Sequence, residues 1–538
     1  MEKESLANSK LENTVSALLA ARTRHDTVLF VILLFMILSL TPLLVWWGVS
    51  AGLVVIGVLV APLLVLALIR WPILGLYVLA LSAFLIESDP LAIHDGTDNL
   101  YVFFWPLQLQ GFIERPIGVL VLLTLFIWIS HRWINRQPLL KGGALIGPLT
   151  LYMLCVVFAL VYGLGTGGDL KDAVIQIRPF WYTFLSYILA YNFITRKSHI
   201  RTFFWLAILS AGFKGLQGLY VYLILLHGNL AGHDVIMSHE ESFFYAAMLL
   251  LLVIFCLHYR YRPQLIACLC VAPPVLMSLV ANQRRADYIA LLLGIGLAWF
   301  IVFILKPKAR RALVTGAIIC TLLGVGYVLA FSGDKTSSFG SPARSIIGVF
   351  NPSAGDSRDA GSNLYRDYEN YDLAYTARQH PLLGLGFGKK FDQPKPLTSI
   401  FPDIFTQDPV YDFVPHNTIY WIWVDLGPIG FFSLWFLFGS IIVRGCFIAR
   451  QLKDPYLQVI AIYIVAVTAM EVAVAFADYQ LYFFRNVIDL GLLAGILVKL
   501  PILDQEQKEN SADKSTDGAS VVSRPLVGSI HAKSPSAL

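Results

Sequence analysis

The sequence predicts an all-α fold: a polytopic membrane helix bundle of about 12–14 transmembrane helices with one long extracytoplasmic loop. Hydrophobic residues make up 57% of the 538 residues and charged residues 14%, and the mean hydropathy is +0.67. This composition is far from that of a soluble domain. Apolar runs of about 18–25 residues, long enough to cross a hydrocarbon core of about 30 Å, recur along the chain. Because the backbone must satisfy its own hydrogen bonds in lipid, these runs are predicted to be helices.

We identify fourteen candidate spans, of which the first three are the most closely spaced. They lie near residues 29–48, 50–69, 72–88, 116–130, 145–163, 180–195, 202–226, 242–258, 264–281, 287–305, 312–331, 418–442, 456–477 and 485–501. The polar segment 1–28 precedes a run that is too long for a signal-peptide core, so that run is predicted to be an anchor.

The same pattern divides the chain into five predicted segments. A cytoplasmic N-terminal segment, 1–28, is followed by eleven helices over 29–331. The loop 332–415 with an amphipathic helix and the C-terminal helices over 416–501 come next. The stretch 502–538 mixes Ser, Lys, Asp and Gly without periodicity and is predicted to be a disordered tail.

The basic residues of the short connections predict the orientation. They fall in alternate loops, for example at Arg196, Arg260 and Arg310. The positive-inside rule places these loops in the cytoplasm. Both termini are then predicted to be cytoplasmic, and the long loop 332–415 extracytoplasmic.

Several arginines are predicted to lie on the outer side, against this charge bias. Arg284 and Arg285 are at the mouth of one span, and Arg178 and Arg485 are at the outer ends of two others. They could extend to lipid headgroups. A diphosphate is the other explanation, because a guanidinium offers a fixed fork of donors to phosphate oxygens.

The long loop contains a segment of helical spacing that carries Arg366 and Arg378. Taken alone, it is typical of an amphipathic helix on a membrane surface. The glycine-rich run that ends at Gly388 could be a plain turn, since no P-loop lysine follows it. Within the membrane, Lys214 interrupts an apolar run and is expected to face the bundle interior.

His416 and Asn417 stand directly before the span that follows the long loop. A single histidine there is more often an interfacial residue than a catalytic one. The outward arginines change that interpretation, because an imidazole ionises near neutral pH and suits acid-base work next to an anion.

The segment His416-Asn417 … Asp425-Leu-Gly427-Pro-Ile-Gly430 resembles the signature of the bacterial O-antigen ligase and O-antigen polymerase-like superfamily, which are polytopic GT-C-type glycosyltransferases. The segments around Arg285, Arg366 and Asp478 resemble further conserved parts of that family. The likeness covers roughly residues 200–500. The chain has Arg284-Arg285-Ala286 where the family more often has Ser-Arg-Gly, so either arginine could be the functional one.

The resemblance implies transfer of a glycan from an undecaprenyl-diphosphate-linked donor to a saccharide or glycolipid acceptor, on the extracytoplasmic face of the bacterial inner membrane. His416 would act as general base or orient the diphosphate, and Asp478 would orient His416 or hold the acceptor. The predicted catalytic residues are His416, Arg366, Arg285 and Asp478. The predicted substrate-binding residues are Arg284, Arg178, Arg378, Asn417, Arg485 and Lys214.

No cofactor is expected, because the lipid-linked donor already carries the activated bond. No Asp-x-Asp or histidine cluster indicates a metal, so we expect a metal-independent reaction. The expected partners are the donor, the acceptor and membrane lipids, with no nucleic acid.

The main alternative is a secondary transporter or lipid flippase, which would use ionisable residues such as Lys214 and Glu471 near the bilayer midplane. Most ionisable residues here are instead predicted to lie at one outer face beneath the long loop. The sequence does not separate a ligase from a polymerase.

Overall fold

The computed structural model describes residues 63–87, 116–138, 141–230, 235–258, 262–331, 333, 340–350, 357–399 and 413–522. Every regular element in these ranges is a helix, which confirms the predicted fold class. The predicted N-terminal segment 1–28, the span near 29–48 and most of the span near 50–69 lie outside the described residues.

Residues 63–70 are helical, and fourteen further α-helices have both ends defined in these ranges. The first seven are α1 (Ile73–Leu85), α2 (Pro116–Ile134), α3 (Ile146–Gly165), α4 (Leu170–Phe193), α5 (Lys197–Tyr220), α6 (His239–Leu257) and α7 (Arg262–Ala281). The others are α8 (Arg285–Leu305), α9 (Arg310–Phe331), α10 (Ser341–Phe350), α11 (Ser357–Gln379), α12 (Thr418–Gln451), α13 (Pro455–Ala475) and α14 (Phe484–Val522).

Ten helices of the described chain are long and apolar enough to cross a membrane: α2, α3, α5 to α9 and α12 to α14. Two predicted spans differ from the structure. The predicted span near 72–88 is α1, which has 13 residues and is shorter than the roughly 20 that a bilayer requires. The span predicted to begin near residue 180 is α4, which begins at Leu170 because the Asp169 side chain caps its first turn.

The C-terminal end also differs from its prediction. A disordered tail is predicted over 502–538, but α14 continues as a helix to Val522. Residues 523–538 lie outside the described ranges.

The core of the bundle is formed around α13 and the membrane part of α14, which are the most enclosed of the apolar helices. Helix α14 packs along α4, and α13 packs between α8 and α12. Helix α9 lies at the periphery, where Leu313 is its buried residue. The first turns of α8 and α12 therefore lie beside the α13–α14 connection at one end of the bundle.

Helix α12 is interrupted at Gly427, which has φ +67°, and Pro428 follows it. Proline has no N–H to donate to the carbonyl four residues earlier, and that carbonyl, of Val424, accepts instead from Leu385 N at 2.7 Å. The carbonyl of Asp425 likewise accepts from Gly386 N at 3.0 Å. The glycine-rich run after α11 thus satisfies the polar groups that the break exposes, and its role is structural.

Candidate active site

Helix α11, from the long loop, packs against the first part of α12. Asn363, Glu369 and Asn370 lie three or four residues from Arg366, so the four residues share one helix face. The side chains of Asn363, Glu369 and Asn370 contact residues at the starts of α8 and α12, as described below. The helix ends at Gln379, just before His380-Pro381, where proline disfavours a further helical turn.

Asn417 fixes the position of the His416-Asn417 pair at the start of α12. It is the N-cap of α12, and its Oδ1 accepts from Tyr420 N at 3.0 Å. Its Nδ2 donates to Oδ1 of Asn370 on α11 at 2.9 Å. The cap thus fixes the start of α12 to α11 and holds His416 immediately outside the helix.

His416 is held by Glu369 of α11. The backbone N of His416 lies 3.1 Å from both carboxylate oxygens of Glu369, and the ring Nδ1 lies 3.1 Å from Oε1. The rings of Tyr365 and Tyr479 each meet the imidazole edge-on at 5.1 Å between centroids. Asp478 is predicted to orient His416 or to hold the acceptor, and the carboxylate that contacts Nδ1 in the structure is that of Glu369.

Asp478 lies in the connection between α13 and α14 and is 1% exposed. It forms an ion pair with Arg284, the residue just before α8. It also accepts from Nε2 of Gln480 at 3.2 Å. Burial opposes ionisation, but nearby positive charges, Arg284 first among them, outweigh it and hold the pKa of Asp478 well below its usual range.

Arg285 and Arg366 complete the group of cations. Nη2 of Arg285 donates to Oδ1 of Asn363 at 3.2 Å, which joins the start of α8 to α11. Burial lowers the pKa of the Arg366 guanidinium against the attraction of Asp478, and the guanidiniums of Arg284 and Arg285 lower it further. The Nε of Arg366 is buried and has no hydrogen-bond acceptor among the described residues.

Two predicted substrate-binding residues belong to a separate, fully buried ionic cluster. Nζ of Lys214 lies 2.5 Å from Glu87 Oε1 and 3.6 Å from Glu241 Oε1. Nη1 of Arg485 lies 2.6 Å from Glu241 Oε1 and 3.2 Å from Glu240 Oε1. Arg485 also donates to the carbonyls of α1 residues 83 and 84 at 2.7 and 3.1 Å. These contacts connect α1, α5, α6 and α14, so we interpret the cluster as structural.

The two remaining predicted residues are placed differently again. Arg178 is 5% exposed within α4, and Arg378 is exposed in the last turn of α11. We assign neither to the site. The residues that the structure brings together are therefore Arg284, Arg285, Arg366, His416, Asn417 and Asp478.

Five side chains that shape this site are absent from the predicted site residues: Asn363, Tyr365, Glu369, Asn370 and Tyr479. Asn363, Glu369 and Asn370 could have been found from the sequence. They lie three or four residues from Arg366 and so share its helix face. Tyr479 follows Asp478 directly in the chain, but that adjacency does not predict the direction of its ring.

Comparison with known families identifies part of the chain. Residues 274–435 match the model of the O-antigen ligase family. The match runs from within α7 to within α12 and includes Arg284, Arg285, Arg366 and His416, whereas Asp478 lies beyond it. A search of curated proteins found no match. Within the described ranges, no group of three or more His, Cys, Asp or Glu residues could hold a metal ion. Residues 274–435 of this multi-pass membrane protein are therefore a domain of the O-antigen ligase family.

Proposed function

We propose that the protein transfers a glycan from an undecaprenyl-diphosphate-linked donor to a hydroxyl of a saccharide acceptor. The observation that carries this proposal is the convergence of Arg285, Arg366 and His416 where α11 meets the ends of the bundle. The family match supports the class of reaction.

The arginines would bind the diphosphate of the donor. Negative charge builds up on this group as the glycosidic bond to it breaks, and fixed cations that face it stabilise the transition state. Arg284 already pairs with Asp478, so we assign the diphosphate to Arg285 and Arg366. The buried Nε–H of Arg366, which has no acceptor in the described chain, would donate to a phosphate oxygen.

His416 would act on the acceptor. Its imidazole takes the proton of the acceptor hydroxyl, and the acceptor oxygen forms a bond to the anomeric carbon. The bond from that carbon to the diphosphate oxygen breaks, and its electron pair stays on the diphosphate. The imidazolium then gives its proton to the released diphosphate or to water, so His416 returns to its starting state.

The reaction would take place outside the cytoplasm. Under the positive-inside rule the loop that contains α11 faces away from the cytoplasm, and both termini face towards it. A lipid-linked donor presents its diphosphate at the membrane surface. His416 stands just before a membrane helix and is therefore expected at the same depth.

The contacts of Lys214 weigh against a transport function. Lys214, a candidate for ion or proton coupling at membrane depth, is engaged by Glu87 and Glu241. Such saturated pairs support helix packing and leave little charge for a substrate.

The test is a profile of lipid-linked glycans in a deletion strain complemented with the wild type or with His416→Ala. A ligase predicts full-length polymer on undecaprenyl diphosphate in the deletion and in the variant, and a polymerase predicts single repeats. Unchanged glycan pools in the deletion strain would overturn the proposal.

A further inference from the structure

We infer that Glu369 is the positioning residue of His416: it fixes the imidazole as the tautomer with a proton on Nδ1 and directs the basic Nε2 at the acceptor. The inference rests on the proposed function of His416. Its structural part, the tautomer, can be measured without any transfer reaction.

Several hydrogen bonds join Glu369 to His416. One carboxylate holds both the main chain and the ring of His416, through three N···O distances of 3.1 Å. Glu369 is 1% exposed, so water does not compete for these hydrogen bonds. A side chain held at its backbone and at its ring has little freedom to rotate.

The chemistry of the carboxylate determines the tautomer. An ionised carboxylate only accepts hydrogen bonds, so the ring nitrogen that faces it carries a proton. In the neutral imidazole the lone pair is then on Nε2. A general base needs that lone pair, whereas a histidine with its proton on Nε2 could only donate from that position.

The groups around His416 come from two elements. Glu369 and Tyr365 face it from α11, and Asp478 and Tyr479 face it from the connection after α13. Asp478 already forms an ion pair with Arg284. Glu369 contacts the ring directly, and it should favour the imidazolium formed during proton transfer.

Helix α11 itself provides a matched control. Asp372, one turn after Glu369, is also buried, but its Oδ1 accepts from Lys395 N at 3.0 Å. Both acids stabilise loop structure, and only Glu369 contacts His416. Glu369→Gln keeps an oxygen for the backbone N–H of His416 and removes the charge, and Asp372→Asn does the same for the Lys395 contact.

The first experiment compares the pH profile of transfer by wild type, Glu369→Gln and Asp372→Asn in proteoliposomes. Glu369→Gln should lose roughly 10²-fold in kcat, the scale of acid-base groups and their orienting partners. The midpoint of its acidic limb should move to lower pH, because the charge that favours imidazolium is gone. Asp372→Asn should keep the wild-type midpoint. An unchanged midpoint in Glu369→Gln, or an equal shift in both variants, would overturn the inference.

The second experiment records ¹⁵N spectra of histidine-labelled protein above neutral pH and identifies His416 by the resonances lost in His416→Ala. The inference requires a protonated Nδ1 in the wild type, and a protonated Nε2 would refute it. If that tautomer is found while His416→Ala transfers glycans at the wild-type rate, the proposed function of His416 fails and the positioning contact stands. If His416→Ala is inactive but Nδ1 is unprotonated, the positioning role of Glu369 fails instead.

Discussion

Arg284 and Asp478 form a largely buried ion pair that joins the residue before α8 to the connection between α13 and α14. The Asp478 side chain is 1% exposed and that of Arg284 is 14% exposed. Removal of one partner from such a pair leaves a buried charge and costs about 3–5 kcal/mol. The pair therefore supplies a structural reason for the double arginine: Arg284 stabilises the fold, and Arg285 remains the candidate for the donor.

Arg284→Ala should consequently reduce the stability of the protein. The expected result is a fall in the melting temperature in detergent and in membrane abundance, and both should recover partly in Arg284→Ala with Asp478→Asn, which removes the orphaned charge. Arg285→Ala is the control and should leave abundance near the wild-type level while transfer is lost. A double variant no more stable than Arg284→Ala would contradict the assignment.

Arg285 and Arg366 are expected not to tolerate lysine. Lysine keeps the charge but lacks the planar fork that binds two phosphate oxygens at once. Each substitution should lower transfer at least about tenfold, as expected when a charge-assisted bond is lost. The measurement is the initial rate at several donor concentrations. Near-normal rates in both lysine variants would show that only the charge matters.

The sequence predicted the class of fold well because apolar run length and loop charge are local properties. The roles of individual side chains were predicted less accurately, because tertiary contacts determine them. Lys214 and Arg485 stood at plausible places for a ligand, but their carboxylate partners lie on α6 and at residue 87, far away in the chain. Sequence spacing could not predict these ion pairs. Without them, Lys214 and Arg485 were both predicted to bind substrate.

The candidate site could likewise be predicted only in part. His416, Arg366 and Arg285 were predicted from type and position, and they lie close together in the structure. Glu369 carried only the signal of its helical spacing from Arg366, and its contact with His416 could not be predicted before α11 was positioned against the start of α12. The ambiguity between Arg284 and Arg285 also required the structure, because only the location of Asp478 distinguishes two adjacent arginines.

The glycine-rich run is expected to be needed for stability. Gly386 has φ +79°, and a Cβ there would lie 2.5 Å from Cα of Gly163. Gly386→Ala should therefore destabilise the protein by roughly 2 kcal/mol or more, from backbone strain and overpacking. Gly165→Ala is the control, since a Cβ there meets nothing within 4 Å. Equal melting temperatures of the two variants would refute the proposed packing role.

The orientation of the bundle can be tested with single cysteines in a variant whose six native cysteines are replaced. Asp367 is exposed on α11, and Arg311 is exposed at the start of α9. Asp367→Cys should react with a membrane-impermeant thiol reagent in intact spheroplasts, and Arg311→Cys should react only after permeabilisation. The reverse pattern would place Arg284, Arg285 and Arg366 on the cytoplasmic side of the membrane.

His416→Ala is expected to abolish catalysis without loss of the fold. The helix start is capped by Asn417, whose bonds to Tyr420 and Asn370 do not involve the imidazole, so abundance and melting temperature should change little. Transfer should fall about 10²-fold or more, the usual scale for a positioned acid-base group. His416→Gln separates the two possible roles, because an amide can donate to a phosphate oxygen but cannot accept a proton at neutral pH. Activity restored by glutamine would indicate diphosphate orientation, and equal inactivity of both variants is the result expected for a general base. If both variants transferred glycans at the wild-type rate and abundance, His416 would have no part in the reaction and Arg285 and Arg366 would act alone.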